Sequence, residues 1–425
     1  MLSDIAVKKP RTRRRLHIAV ICRELGGQGS VAAVALRQAK ELGLHARITL
    51  ISDSFPDSID PYSRLLVTPV NLSFLRRFSH VPQELAFAFA AKRCLHRLRE
   101  QGAELDFVHC HAHSLIALAT SGFSRRFNIP CGLVAHGDVF SSPPGTYDWR
   151  LTTFFKWAIP RGYALADLIV ALSPHMRERA IACGADPSKV EVIPNGIESG
   201  EIGVKSPASS QSSGGTSAAE EGAVVDSLKL LFVGTLDRRK GVDVLLRAAK
   251  SLKEKNIPFS LRIVGNGPLR PELNRLIADY GLSDDVALLG SVSRGDLGKW
   301  YQWADVTCVP SINDPLPTVV LESLAAGTPI VGSAVGGIPF MVQASVNGLL
   351  VPPSDSDALA DALAEISRQP AFLRRLKQAS APSVLPRFSW RRNGEDLIRA
   401  IDKTVNDARR QSRSGMSDVA AEIGT

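Results

Sequence analysis

The sequence has no run approaching the ~20 apolar residues that a membrane-spanning helix needs. Thr328–Val342 comes nearest, but glycine and proline break it. There is no Cys-x-x-Cys pair. The six cysteines are scattered, which argues against a disulfide framework and a zinc ribbon and fits a reducing, cytoplasmic setting. The first apolar stretch does not read as a secretory leader: Leu16–Cys22 runs at once into Arg23 and Glu24 and has the pattern of a strand. Acid is in short supply. With 51 Lys and Arg against 42 Asp and Glu, the net charge is +9, which favours anionic partners without choosing among nucleic acid, phosphorylated ligands and acidic lipid. Apolar residues are plentiful, at 44% of 425 residues, enough for two or three ordinary globular domains.

Strand and helix signals alternate along the chain. Leu16–Cys22 reads as a buried strand, Gly26-Gly27-Gln28-Gly29-Ser30 as a glycine-rich turn, and Val31–Leu42 as a helix stopped by Gly43. Further strands are expected at Arg47–Ser52, Phe107–His111, Cys131–Ala135 and Leu168–Leu172. After residue 227 the pattern restarts with strands at Leu228–Val233, Leu261–Val264, Val286–Leu289, Val306–Val309 and Pro329–Val331, and helices at Val242–Lys253 and Arg391–Asp402. Such alternation predicts parallel sheets with helices on both faces. Between the halves, residues 199–227 are rich in Ser and Gly and cannot bury enough apolar surface to offset chain entropy. The expected plan is therefore a basic flexible tail over 1–15, a first α/β domain over 16–198, a flexible linker over 199–227 and a second α/β domain over 228–385. A C-terminal helix over 386–405 should return toward the first domain, and 406–425 should be a flexible tail.

Several segments carry chemistry. The turn holding Gly27 and Gly29 lies between a strand and a helix, where backbone N–H groups and the helix dipole can meet a phosphate. It also fits a dinucleotide fingerprint, with Asp53 closing the second strand as a ribose acid, so an NAD-dependent oxidoreductase is a rival reading. His109, His111 and His113 alternate along a strand, as metal ligands could. No carboxylate sits at ligand spacing beside them, and the one thiol there, Cys110, faces the other way. His136 follows the next strand at the edge where open α/β sheets place ligands. The loop Gly234–Gly241 offers three consecutive cations, Arg238, Arg239 and Lys240, which can hold a diphosphate. Asp314 and Glu322 lie eight positions apart, the first in a loop and the second in a helix, where both can meet hydroxyls. Asp355-Ser-Asp357 has the form of a metal-binding Asp-x-Asp, but it opens the helical run Ala358–Ile366 and reads better as helix-start acid.

Taken in order from about residue 16 to 400, these segments resemble glycosyltransferase family 4, of the two-domain GT-B type. The set includes Gly26–Gly29, His136-Gly137, Ile193–Glu198, Gly234…Gly241, Ile263–Pro268, Asp314–Glu322, Gly336–Pro339 and Asn347–Leu349. The resemblance implies two Rossmann-like domains facing each other across a cleft. It implies transfer of a sugar from a nucleoside-diphosphate sugar to an acceptor hydroxyl, with retained configuration, in surface polysaccharide or glycolipid synthesis. It assigns His136, Asp314 and Lys240 to catalysis. Lys240 with Arg238 and Arg239 would hold the diphosphate, Glu322 the ribose, Asp314 a sugar hydroxyl, and Val292 the base. Gly27, Gly29, Gly265 and Thr318 would complete the donor site. No metal, other cofactor or nucleic acid is expected. The partners would be the donor and a carbohydrate or lipid-linked acceptor. The residues themselves add an anionic membrane surface on the inner face of the plasma membrane: Phe74-Leu75-Arg76-Arg77-Phe78 alternates apolar and basic residues, and Lys92, Arg93, Arg97, Arg99, Arg125, Arg126 and the basic tail supply more charge of the same sign. Three positions depart from the family pattern: Thr235 and Phe340 stand where Arg and Glu are usual, and Asp314 replaces a glutamate. They leave a decayed, binding-only protein as the alternative to the enzyme.

Overall fold

The structure, a computed structural model, describes residues 14–25, 30–55, 66–69, 80–111, 114–136, 149–198, 200 and 227–423. The basic tail (all but residues 14 and 15), Gly27, Gly29, the segment Phe74–Phe78, His113, and nearly all of the 199–227 linker lie outside them.

Seven strands form one sheet: β1 His17–Cys22, β2 Arg47–Ser52, β3 Leu66–Pro69, β4 Phe107–His111, β5 Cys131–Ala135, β6 Leu168–Ala171 and β7 Val190–Val192. Their order is β3-β2-β1-β4-β5-β6-β7. Every residue of β1 is buried, as expected for a central strand covered on both faces. It pairs in parallel with β2 (Ile18 with Ile48) and with β4 (Ile18 with Phe107).

Six strands form the other sheet: β8 Leu228–Val233, β9 Phe259–Val264, β10 Val286–Gly290, β11 Val306–Val309, β12 Ile330–Ser333 and β13 Gly348–Val351, in the order β10-β9-β8-β11-β12-β13. Its pairings are parallel. The helix Val242–Glu254 covers one face with Val242, Leu245, Leu246, Ala249 and Leu252, all at 2% exposure or less. That spacing is one helical stripe, and each buried valine or leucine in it contributes roughly 1.5–3 kcal/mol. In both sheets the chain order reverses beside the first strand, between β1 and β4 and between β8 and β11. At such a switch point the loops leaving the carboxyl ends diverge and open a crevice.

The described chain divides into two compact units, Met1–Leu133 with Leu165–Leu168 and Ile398–Thr425, and Val134–Ala164 with Ile169–Leu397. Two α/β sheets of Rossmann type are thus present, as the alternation predicts. The final helix is longer than expected. It spans Trp390–Ile423 and so includes most of the stretch read as a tail. Its apolar positions Leu397, Ile401 and Val405 recur every fourth residue and are buried, and Arg409 reaches Asp106 at 2.6 Å. Asp355 caps the helix Ser356–Arg368 by accepting from the Ala358 N–H at 2.8 Å, so the Asp-x-Asp is helix-start chemistry.

Candidate functional site

Four loops leave the carboxyl ends of β8, β9, β11 and β12, and glycines fasten them to one another. Gly241 adopts a left-handed conformation (φ 66°), and a Cβ there would sit 2.0 Å from the Pro310 carbonyl oxygen. A Cβ on Gly265 would fall 1.8 Å from the Gly234 oxygen, and one on Gly336 1.8 Å from the Asp314 oxygen. Only glycine permits these approaches. Backbone bonds complete the fastening: Leu236 N to Asn266 O at 3.0 Å, Ile312 N to Arg239 O at 2.7 Å, and Gly337 N to Asp314 O at 3.0 Å.

The cation loop after β8 begins with Thr235, which is exposed, and Leu236, which is fully buried. Asp237 then caps a single tight turn, Arg238–Lys240, by accepting from the Arg239 N–H at 2.9 Å. Each of the three cations has an acidic partner. Arg238 reaches Glu272 at 3.3 Å and Arg239 reaches Asp237 at 2.8 Å, both at exposed positions. Lys240 pairs with Asp314, whose side chain is only 8% exposed against 27% for the lysine. The sequence shows the cations and the carboxylate but not this pairing across 74 positions.

Asp314 lies in the loop after β11, and Glu322 lies in the helix Thr318–Ala325 that follows. Both carboxylates are buried, at 6% and 5% exposure. Tyr301, fully buried, donates its hydroxyl to Glu322 Oε2 at 2.8 Å. The backbone of Tyr301 is held in turn, because Thr328 donates to its carbonyl at 2.6 Å. No motif in the sequence marks Tyr301. Its signal was the cluster Trp300-Tyr301-Gln302-Trp303, unusual in a chain only 6% aromatic. The loop is also anchored at Pro315, whose carbonyl accepts from the fully buried Ser173 hydroxyl at 3.0 Å. Thr318 is half-buried in the first helical turn.

The remaining candidates are more dispersed. Gly265 serves the fastening just described. Val292 lines an open cavity of ≈ 490 Å³ with Asp296, Lys299, Trp300 and Trp303. His136 stands half-buried just past β5. Phe340 stacks edge-on against Phe388 at 5.4 Å, with the Arg387 guanidinium over its ring, so this departure from the family pattern is absorbed into packing. His109 and His111 lie buried on β4 with their rings 4.7 Å apart, and His109 Nε2 is 3.3 Å from Gln38 Oε1. Among the described residues no group of three or more His, Cys, Asp or Glu side chains converges as a metal site. Asp53 does not serve as a free ribose acid. It accepts from Arg23 Nε at 3.2 Å and from the Glu24 N–H at 2.6 Å, holding the turn after β1. That gives Asp53 a structural part in place of the one the oxidoreductase reading assigns it; the glycine turn of that reading lies outside the described residues.

A partly exposed ammonium paired with one buried carboxylate, with a second buried carboxylate on the helix that follows, can offer an anion and hydroxyls their partners at the carboxyl end of a switch point. Comparison with known proteins bears on this arrangement. The family model described as Glycosyltransferase Family 4 matches residues 25–201, and that described as Glycosyl transferases group 1 matches residues 216–381. A D-inositol 3-phosphate glycosyltransferase of Actinosynnema mirum is 36% identical over 225 residues, 51% of this chain and 52% of that protein. The match thus spans about half the length of that relative. Among solved structures, the sucrose-phosphate synthase of Thermosynechococcus elongatus superposes with a TM-score of 0.71 at 22% identity, over 94% of this chain and 100% of that one. Anabaena HepE in complex with UDP-glucose gives 0.68 at 16% identity, over 91% and 100%.

Proposed function

The chain belongs, half by half, to glycosyltransferase family 4 and the group 1 glycosyl transferases, and from that premise we propose that it transfers a sugar from a nucleoside-diphosphate donor to an acceptor hydroxyl. The observation that carries the reading is Lys240 set against Asp314, with Glu322 on the next helix, at the carboxyl end of the switch point between β8 and β11. A neighbour of the same fold binds UDP-glucose, which supports a nucleotide sugar as donor.

In this reading Lys240 holds the diphosphate, and Arg238 and Arg239 add charge at its edge. Glu322, oriented by Tyr301, accepts from the ribose hydroxyls. Asp314 accepts from a sugar hydroxyl, and His136 contacts the sugar near the reacting carbon. The bond between the anomeric carbon and the diphosphate oxygen breaks, and its electron pair stays on the diphosphate beside Lys240. The acceptor oxygen bonds to the same face of that carbon, giving retention, and its proton passes to the departing diphosphate oxygen. Fixed cations stabilise the leaving charge without a metal.

A membrane-presented acceptor fits the surface of the first sheet's helices. On the helix His80–Glu100, Phe89, Arg93 and Arg97 recur every fourth residue and are exposed, Phe89 to 55%. Arg125 and Arg126, also exposed, close the helix Ser114–Phe127. Among the described residues no helix is long and apolar enough to cross a membrane.

A panel of nucleotide sugars, read first by thermal shift and then by transfer or donor hydrolysis with and without EDTA, tests the proposal. One donor should stabilise the protein and be consumed with EDTA present, and Lys240→Ala should weaken its binding about ten-fold or more. Binding of NAD and of no nucleotide sugar would overturn it.

A further inference from the structure

The Lys240–Asp314 pair joins the residue meant for the diphosphate to the residue meant for the sugar. Charge that each group spends on the other is withheld from the donor. Resting on the donor reading above, we infer that Asp314 is an internal competitor for the diphosphate, and that this competition makes the enzyme discriminate between intact donor and spent nucleotide.

The geometry decides which partner moves. The Asp314 backbone is fixed: its carbonyl accepts from Gly337 N at 3.0 Å, Gly336 packs against the same oxygen, and the next carbonyl is held by Ser173 at 3.0 Å. The Asp314 side chain is buried, so its charge has little access to water. The Lys240 side chain is a flexible four-carbon stem, and it is the more exposed of the two. An arriving diphosphate therefore draws the ammonium away from a carboxylate that stays in place. A buried carboxylate stripped of its cation, with a diphosphate nearby, is strongly unfavourable. An intact donor relieves this, because the sugar offers Asp314 a hydroxyl donor. A free nucleoside diphosphate offers nothing there. The two outer cations do not impose this coupling: Arg238 and Arg239 pair with exposed or loop acids, where screening makes exchange nearly costless. After transfer the sugar is gone, Lys240 returns to Asp314, and the nucleotide is released.

The test is calorimetric binding of UDP, GDP and ADP and of the matching nucleotide sugars to the full chain and to Asp314→Asn and Asp314→Glu. The asparagine keeps the shape and removes the charge, so the free diphosphate should bind about ten-fold tighter than to the unaltered protein. The intact donor should gain less, and the preference for donor over spent nucleotide should shrink. Asp314→Glu keeps the charge and should retain that preference. Circular dichroism establishes that each variant is folded, and a variant that fails is replaced by Asp314→Ser. An unchanged or weaker diphosphate affinity in the neutral variants would overturn the inference while leaving the donor assignment intact. Failure of the unaltered chain to bind any member of the panel would overturn both.

Discussion

Tyr301 donates its phenolic hydrogen to Glu322 Oε2 across 2.8 Å, with both side chains buried. The tyrosine comes from the helix Arg294–Trp303 and the glutamate from the helix Thr318–Ala325, so the bond couples two helices as well as aiming a carboxylate. Removing the hydroxyl leaves the buried oxygen without this donor, a loss of about 1–3 kcal/mol. Tyr301→Phe should lower stability by that order in urea titration and weaken nucleoside-diphosphate binding. Unaltered stability and affinity would show that Glu322 is held by its other contacts.

Gly241 should tolerate no side chain. Alanine there must adopt φ 66° and also displace the Pro310 carbonyl. Non-glycine residues in that region cost about 1–2 kcal/mol before any clash. Gly241→Ala should lower the melting temperature and weaken donor affinity together, because Lys240 is the preceding residue. A fall in melting temperature with donor affinity intact would separate the turn from the site.

Acid should destabilise the first sheet through His17. Burial, first, and then the Arg47 charge lower its pKa from 6.5 to about 4, against an opposing pull from Asp106. The fold prefers the neutral ring, whose Nε2 lies 2.8 Å from the Thr49 hydroxyl. The folded pKa is depressed, so this contribution is complete above pH 6.5 and is lost as the pH falls toward 4. Urea titrations across that window should show a stability loss that is smaller in His17→Gln. Parallel curves for the two proteins would dismiss His17 as the source.

Anionic vesicles should bind the chain reversibly. Each arginine near a charged leaflet contributes about 1 kcal/mol, and an exposed Phe89 can enter the interface. Sedimentation with phosphatidylserine or phosphatidylglycerol vesicles should fall with salt, and fall several-fold further with Arg93→Glu plus Arg97→Glu. No sedimentation at low salt would point to a soluble acceptor.

How far the sequence reached depended on the range of the interaction. β4 and β8 occupy the predicted residues end to end, because runs such as Leu228–Val233 are apolar and bounded by loop residues. β7 has only three residues, and β13 begins at a glycine, so neither showed a strand pattern of its own. Both are edge strands, recognisable only once their neighbours are in place. At the site, residue types were legible and pairings were not. Asp53 read as a ribose acid because its spacing fits, yet parallel pairing of β1 and β2 brings it to Arg23. Lys240 and Asp314 each read as donor ligands. Their bond to one another required the order in which β8 and β11 lie side by side.

The glycine approaches at 241, 265 and 336 bear on how this site could be re-engineered. Each is a contact between one loop's missing Cβ and another loop's carbonyl. The loops after β8, β9, β11 and β12 are consequently a single interlocking insert and not four independent ones. A chimera that imports one loop from a relative would meet native neighbours shaped for a different backbone. Altered donor preference would come from exchanging the whole set at once, or from side chains facing the ligand, with the glycines left in place.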